Sequence, residues 1–294
     1  MSFDPRHGEA VDLGNGIVRI TAANPGPYTG AGTNTYLVGR DRLMLIDPGP
    51  HLPEHLAALD RAIGGRSVSH ILVTHSHRDH IAGLAPVREM TGAPIVAEGP
   101  ARLGRALHPG EDDPTPGYQD RLFPIDIVVS DGDVVDNGEV SLTAVTTPGH
   151  APDHVAFGYG DDFFSGDHVM GWSTTVVSPP EGSMRAYVAS LEKLIPMGHT
   201  RYMPGHGDII EDPSRIVSGI RSHRLMRERA ILQRLAEGDR TISDIVSSLY
   251  ASIDKRLFDA AAMSVQAHLE MLLEEGRVFA DGYGRSARWR PVAA

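Results

Sequence analysis

The run Thr74-His75-Ser76-His77-Arg78-Asp79-His80 sets three histidines and an aspartate within six residues. The chain contains no cysteine, so any metal it binds must be held by His, Asp or Glu, and such ligands favour zinc, iron or manganese. An apolar, strand-like run at 71–74 leads into the motif. In an extended strand end His75 and His77 point the same way, while Asp79 and His80 fall where the chain turns into a helix. Two ligand groups aimed at neighbouring points suit two metal ions a few ångström apart. The competing reading is a polar surface turn whose histidines cap a helix, and a motif this dense rarely arises by chance. His150, Asp167 and His206 each follow another strand-like run. Singly each is an ordinary loop residue, but ligands in α/β proteins gather outside the carboxyl ends of strands, and all four segments lie there.

The elements that must position these residues are legible from periodicity. Short β-rich runs at 17–20, 35–38, 43–46, 71–74, 95–97 and 125–129 alternate with turn-rich segments, and helical patterns occupy 52–62, 80–90 and 184–195. The class is α/β or α+β, with helices packed on sheets. Residues 104–120, rich in Pro, Gly and acids, read as a long surface loop. From residue 213 the texture changes to helices at 214–236, 242–250 and 258–275, followed by two short strands about a Gly-rich turn at 277–290. That is the outline of a winged helix, which predicts two domains, 1–212 and 213–294. Such a module contacts nucleic acid in some proteins and serves packing or dimerisation in others.

Composition narrows the classes further. Without cysteine there are no disulfides, iron–sulfur clusters or thiol nucleophiles. The N-terminus has neither a secretory nor a transit layout, so a cytoplasmic protein is expected, and no uninterrupted apolar run reaches membrane-spanning length. A net charge of −11 argues against a surface that binds nucleic acid throughout. The charge is uneven, however: residues 213–294 carry 13 Lys+Arg against 10 Asp+Glu, whereas residues 1–212 carry 14 against 28. Arg221, Arg224, Arg227 and Arg234 recur at helical spacing, a pattern that usually marks a solvated face and less often a phosphate track.

The motif at 75–80, with His150, Asp167, His206 and the segment Leu45-Ile46-Asp47-Pro48-Gly49, resembles the metallo-β-lactamase-fold hydrolases over residues 17–210. Within that superfamily the chain is most similar to the branch of β-lactamase-like protein 2. The residues carrying this are Gly32-Thr33-Asn34-Thr35-Tyr36-Leu37-Val38, Thr174-Thr175-Val176, Pro179-Pro180 and the layout of the C-terminal extension. The resemblance implies a four-layer αββα sandwich with two divalent metal ions, zinc foremost, at one edge. It implies one ion held by His75, His77 and His150, a second held by Asp79, His80 and His206, and Asp167 bridging. A hydroxide shared by the ions would attack the substrate, Asp79 would orient it as the catalytic carboxylate, and Asp47 would hydrogen-bond a ligand imidazole.

Single-stranded RNA is the substrate favoured by this resemblance and by the positive balance of residues 213–294, while the acidic catalytic part counts against it. Small esters, thioesters or lactones, as in glyoxalase II-type enzymes, fit the acidic body equally well. A nucleic-acid-binding regulator without catalysis is a reading from another class, and the intact ligand set argues against it. His154 and His168 are further candidates for substrate contact. Tyr187 and Trp172 either shape the substrate mouth or sit in the core. His51, His55, His70, His108, His199, His223 and His268 read as surface or boundary residues. No membrane partner is expected, and a homo-oligomer is left open.

Overall fold

The structure, a computed structural model, describes residues 3–251, 254 and 257–292. Seven strands form the first sheet in sequence order: β1 (Ala10–Asp12), β2 (Ile17–Thr21), β3 (Asn34–Val38), β4 (Arg42–Ile46), β5 (Ser67–Leu72), β6 (Ile95–Ala97) and β7 (Ile127–Val128). The first four pair antiparallel and the rest parallel. Parallel neighbours need crossovers; α1 (Pro53–Ile63) supplies the first, and α2 (Arg78–Ile81) with α3 (Leu84–Thr91) the second. The second sheet contains β8 (Val134–Asp136), β9 (Ser141–Thr146), β10 (Val155–Tyr159), β11 (Asp162–Gly166) and β12 (Arg201–Pro204), ordered β12-β11-β10-β9-β8. Its one parallel pair, β11 with β12, is joined through α4 (Met184–Leu194).

Alternation along the strands explains the layers. In β4, Met44 and Ile46 face the second sheet and pack with Leu142, Phe157 and Phe164, while Leu43 and Leu45 face outward onto Leu59 and Ile63 of α1 and Val87 of α3. On the far side Ala156, Phe163 and Tyr202 meet Tyr187 and Leu191 of α4. The order is helix, sheet, sheet, helix, the four-layer sandwich expected.

The C-terminal part is α5 (Pro213–Glu237), α6 (Ile242–Leu249), α7 (Phe258–Glu274) and the hairpin β13 (Val278–Asp281) with β14 (Arg288–Pro291), a winged helix built around Ile231, Leu235, Val265, Leu269 and Trp289. Asp212 caps α5 through the Arg215 amide. The early turns of α5 place Val217 and Ile220 in the core beneath the second sheet, and α7 adds Ala267 and Met271 to it. Two helices are thus shared by both cores. Among the described residues no helix is long and apolar enough to cross a membrane.

Several expectations need correction. The helix expected at 80–90 is broken. A Cβ on Gly83 would lie 2.9 Å from the Pro48 carbonyl oxygen, and the Gly49 loop hydrogen-bonds both sides of the break, through the His80 carbonyl and the Gly83 amide. Residues 104–120 are irregular apart from one turn at Thr115–Gly117, but Thr115 and Gln119 are buried. The segment is anchored to the winged helix by Arg105 with Glu270 and by the stacked rings of His108 and Tyr283.

His55 and His268 are buried rather than superficial. Burial pushes His55 down to about 4; burial, then Arg224 and Arg227, push His268 down to about 3. With folded values below the unfolded one near 6.5, their contribution to stability is fully present above pH 6.5 and drains away as pH falls toward 4. Urea unfolding at pH 7 and pH 5 should therefore differ by roughly 2 kcal/mol for each of the two histidines, less whatever other groups offset. A stability unchanged between those values would contradict their neutral burial.

Candidate metal centre

The motif residues lie just past strand ends at one edge of the sandwich. β4 leads into Asp47, whose backbone is left-handed (φ 52°), a conformation that aspartate tolerates better than most residues. That turn aims its carboxylate across to the end of β5. Oδ1 accepts the Thr74 amide at 2.8 Å; Oδ2 accepts the Thr74 hydroxyl at 2.7 Å and the His80 Nδ1–H at 2.8 Å. β5 stops at Leu72, so His75 and His77 stand in the connection to α2 rather than on a strand. β9 leads to His150, β11 to Asp167 and β12 to His206. Gly149 makes the approach to His150 possible, because a Cβ there would fall 2.4 Å from the Tyr187 Cα.

Five imidazoles converge, and each uses its remote nitrogen elsewhere. His75 Nδ1 meets the Thr74 hydroxyl at 3.0 Å, His77 Nε2 meets Glu181 at 2.9 Å and His80 Nδ1 meets Asp47. His150 Nδ1 donates to the Val176 carbonyl at 2.7 Å and His206 Nδ1 to that of Gly32 at 3.1 Å. These partners fix each ring's orientation and leave its other nitrogen aimed into the site. The inward nitrogens crowd one another: His77 Nδ1 lies 3.0 Å from His75 Nε2 and 3.0 Å from His150 Nε2, and His80 Nε2 lies 3.3 Å from His206 Nε2. Among them stand two carboxylates. Asp167 is 3.4 Å from His80, 3.3 Å from His206 and 3.7 Å from His150; Asp79 is 3.2 Å from His206 and 3.4 Å from His80.

Such a cluster fits divalent ions. Three sets of donor atoms lie within 4.8 Å of one another: His75, His77 and His150; His75, His80 and Asp167; Asp79, His80 and His206. Asp167 Oδ1 is buried without a hydrogen-bond donor. The electrostatics agree. Burial works against a charged His206, but Asp167 and Asp79 push it up to about 10. Burial likewise opposes charge on His80, yet Asp79, Asp167 and Asp47 hold it well above its ordinary value. Asp167 stays ionised despite burial because His206 and His80 hold it well below the usual carboxylate range. The pocket therefore calls for positive charge where the inward nitrogens and carboxylates meet. His75, by contrast, is driven well below its ordinary value by burial and by His80 and His77, leaving a neutral ring with a lone pair to offer.

The structure thus gathers His75, His77, Asp79, His80, His150, Asp167 and His206, with Asp47 behind His80. His154 and His168 do not face the site, and the expected substrate contacts are corrected. His154 is fully buried, holding the Thr147 hydroxyl at 2.8 Å and accepting the Asp167 amide at 3.1 Å, so it supports the Asp167 turn. His168 is fully buried against Tyr187, which is core and donates its hydroxyl to the His168 carbonyl. Trp172 is about half exposed, its ring against Gly30. The arginine row is no solvated face: Arg224 is buried, while Arg221 and Arg234 pair with acids.

Sequence reasoning missed Glu181, a buried carboxylate that accepts both His77 and the Gln119 amide. Its signal was slight, an acid directly after Pro179-Pro180. Asp153 was missed too; it accepts the Ser76 amide inside the motif at 3.1 Å.

The fold and this cluster define a class, and sequence comparison agrees: the chain belongs to the metallo-β-lactamase superfamily, whose profile matches residues 28–206. The profile of the β-lactamase-associated winged helix domain matches residues 241–289. The chain is a hydrolase of that superfamily, similar to β-lactamase-like protein 2. It is 32% identical to a β-lactamase-like protein 2 homologue of Drosophila melanogaster, over 90% of either chain. It is 30% identical to an atrochrysone carboxyl ACP thioesterase of Aspergillus chevalieri, over 93% of this chain and 86% of the relative. Among solved structures, a metallo-β-lactamase family protein from Thermus thermophilus superposes with a TM-score of 0.76 at 23% identity, over 96% of this chain and all of that one. The protein TTHA1623, crystallised in a di-iron-bound form, superposes with a TM-score of 0.51 at 28% identity, over 67% of this chain and 96% of that one.

Proposed function

We propose that the chain is a dinuclear hydrolase of acyl esters, thioesters above all. His75, His77 and His150 would hold one ion, Asp79, His80 and His206 the other, with Asp167 between them. The observation that carries this reading is the set of five rings whose remote nitrogens are all engaged, so that their inward nitrogens meet one another at 3.0–3.3 Å. Zinc is the proposed ion, and the di-iron form of a 28% identical neighbour makes iron its first competitor. Divalent ions bound here would acidify water and stabilise a developing oxyanion.

The chain's own groups supply the rest. Asp47 holds the His80 ring, Glu181 holds His77, and the Thr33 hydroxyl donates to Asp79 Oδ2 at 3.1 Å. The Asp79 side chain is 29% exposed against 8% for Asp167, so Asp79 is the carboxylate open to an incoming molecule. Burial opposes its charge, but His80 and His206 keep it ionised. Asp79 is therefore suited to accept a hydrogen bond from attacking water and so to orient it. A thiolate leaving group, from a thiol of pKa near 8.5, departs without needing a strong proton donor. The relative that is a thioesterase supports this substrate class.

Single-stranded RNA is the second reading, favoured by the cationic balance of residues 213–294. It is weakened because Arg221, Arg234, Arg277 and Arg285 already face Glu192, Asp239, Glu228 and Asp259. The purified chain, assayed on acyl thioesters and on single-stranded RNA, should turn over thioesters, lose that activity to a chelator and regain it with added zinc. RNA cleavage with no thioester turnover would replace the first reading by the second.

A further inference from the structure

The residues proposed to hold the two ions are steadied from different parts of the chain. For the second ion, His80 leans on Asp47, His206 on the Gly32 carbonyl, and Asp79 on the Thr33 hydroxyl. All three supports lie next to strands of the first sheet. For the first ion, His77 leans on Glu181 and His150 on the Val176 carbonyl. Both of these supports belong to residues 172–183, in the connection from β11 to α4, which form neither helix nor strand. A partner on such a segment fixes a ring only as firmly as the segment itself is held.

The C-terminal helices hold it at two points. Arg224 of α5 is 5% exposed, and its Nη2 donates to the Thr175 carbonyl at 2.6 Å, one peptide unit from the carbonyl that takes His150. Glu270 of α7 accepts Arg105 through both oxygens, at 2.7 and 2.9 Å. The amides of Gly104 and Arg105 then donate to the Pro180 carbonyl at 3.0 and 3.1 Å, directly before Glu181. The fit there is close, because a Cβ on Gly104 would lie 2.3 Å from the Glu181 carbonyl oxygen. One route thus runs from Arg224 through Thr175 and Val176 to His150, and another from Glu270 through Arg105, Pro180 and Glu181 to His77. Guanidinium donors and forked Arg–carboxylate pairs are among the stronger hydrogen bonds. Both routes end on rings of the same proposed ion.

We propose that Arg224, Arg105 and Glu270 are positioning residues for the first ion. Through them the C-terminal helices brace the site made by His75, His77 and His150 and not the one made by Asp79, His80 and His206. The proposal rests on the two-ion reading and assigns the C-terminal part a task within it, one that requires no nucleic acid. Ligand rings hold a metal tightly only when the groups behind them are themselves locked in place.

The test titrates zinc by calorimetry into full chains that keep a single proposed site: Asp79→Ala, which keeps the first, and His150→Ala, which keeps the second. Adding Arg224→Met together with Glu270→Ala should weaken zinc binding at least about tenfold in the Asp79→Ala chain and leave it unchanged in the His150→Ala chain. Arg224→Lys in place of Arg224→Met keeps a donor for the Thr175 carbonyl and should recover part of the loss. Arg185→Gln breaks a different link between α4 and α7, the exposed pair of Arg185 with Glu274 at 2.6 Å, and should change neither affinity. Glu270→Ala alone leaves the buried Arg224 in place and should move the first ion in the same direction, so the result does not depend on the double substitution folding. Equal weakening at both sites, or no weakening at either, would overturn the bracing role and leave the two-ion reading intact. If the Asp79→Ala and His150→Ala chains each bound two ions, or neither bound any, the two-ion reading would fail and the bracing role with it.

Discussion

Asp167→Ala should lower kcat/KM by about a thousandfold or more while leaving the fold intact. Among the described residues Asp167 is the one carboxylate within 3.7 Å of His80, His150 and His206 together, rings that belong to both proposed ion sites. Removing it takes away the negative charge between those rings and the group that would tie two ions into one centre. A loss of several kcal/mol of transition-state stabilisation corresponds to that rate factor. The backbone stays fixed by contacts the substitution does not touch: the Asp167 amide donates to His154 Nε2, and its carbonyl accepts the Thr175 hydroxyl. Turnover, with circular dichroism as a control for folding, decides the matter. A well-folded variant keeping a tenth of native activity would contradict the bridging role.

Asp47 acts from behind the site, so its replacement should damage stability as well as activity. It accepts three buried donors, two from Thr74 and one from His80. Asp47→Ala leaves all three without an acceptor and puts alanine in a left-handed backbone. At about 1–3 kcal/mol for each abandoned buried donor, the chain should lose on the order of 3–9 kcal/mol. Asp47→Asn keeps the backbone and one acceptor oxygen but removes the charge facing His80. It should cost less stability yet weaken metal binding and turnover by about 10- to 100-fold, the usual effect of losing such a partner. Urea unfolding and metal affinity of the two variants separate the effects. If Asp47→Asn matched the native chain in both, Asp47 would be a backbone device and nothing more.

The seven-residue cluster was legible because its signal is local: a dense motif, and three residues each directly following a strand-like run. Asp47 was legible through its own short motif. The supports of the site were not, because their partners are remote in sequence; His77 and Glu181 are 104 residues apart and meet only through folding. His168 adjoins Asp167 in sequence and His154 follows His150 by four residues, yet both are buried: adjacent residues past a strand end point to opposite sides, and His154 is held beneath the Asp167 turn by Thr147 and the Asp167 amide. The arginines of α5 illustrate a different limit. Helical spacing gives a shared face, but whether that face meets water, an acid or another helix depends on packing that periodicity does not encode. The break at Gly83 likewise comes from the Pro48-Gly49 loop passing close by, a tertiary contact without local trace.

The five inward imidazole nitrogens and two carboxylates are proposed to hold a pair of ions. Titrating the metal-free full chain with zinc, read by calorimetry and by elemental analysis of the desalted product, tests this role most directly. Two ions should bind per chain, with turnover rising as they bind and the second ion lost in Asp79→Ala. A folded native chain that bound no ion, or whose turnover was the same with and without metal, would contradict it.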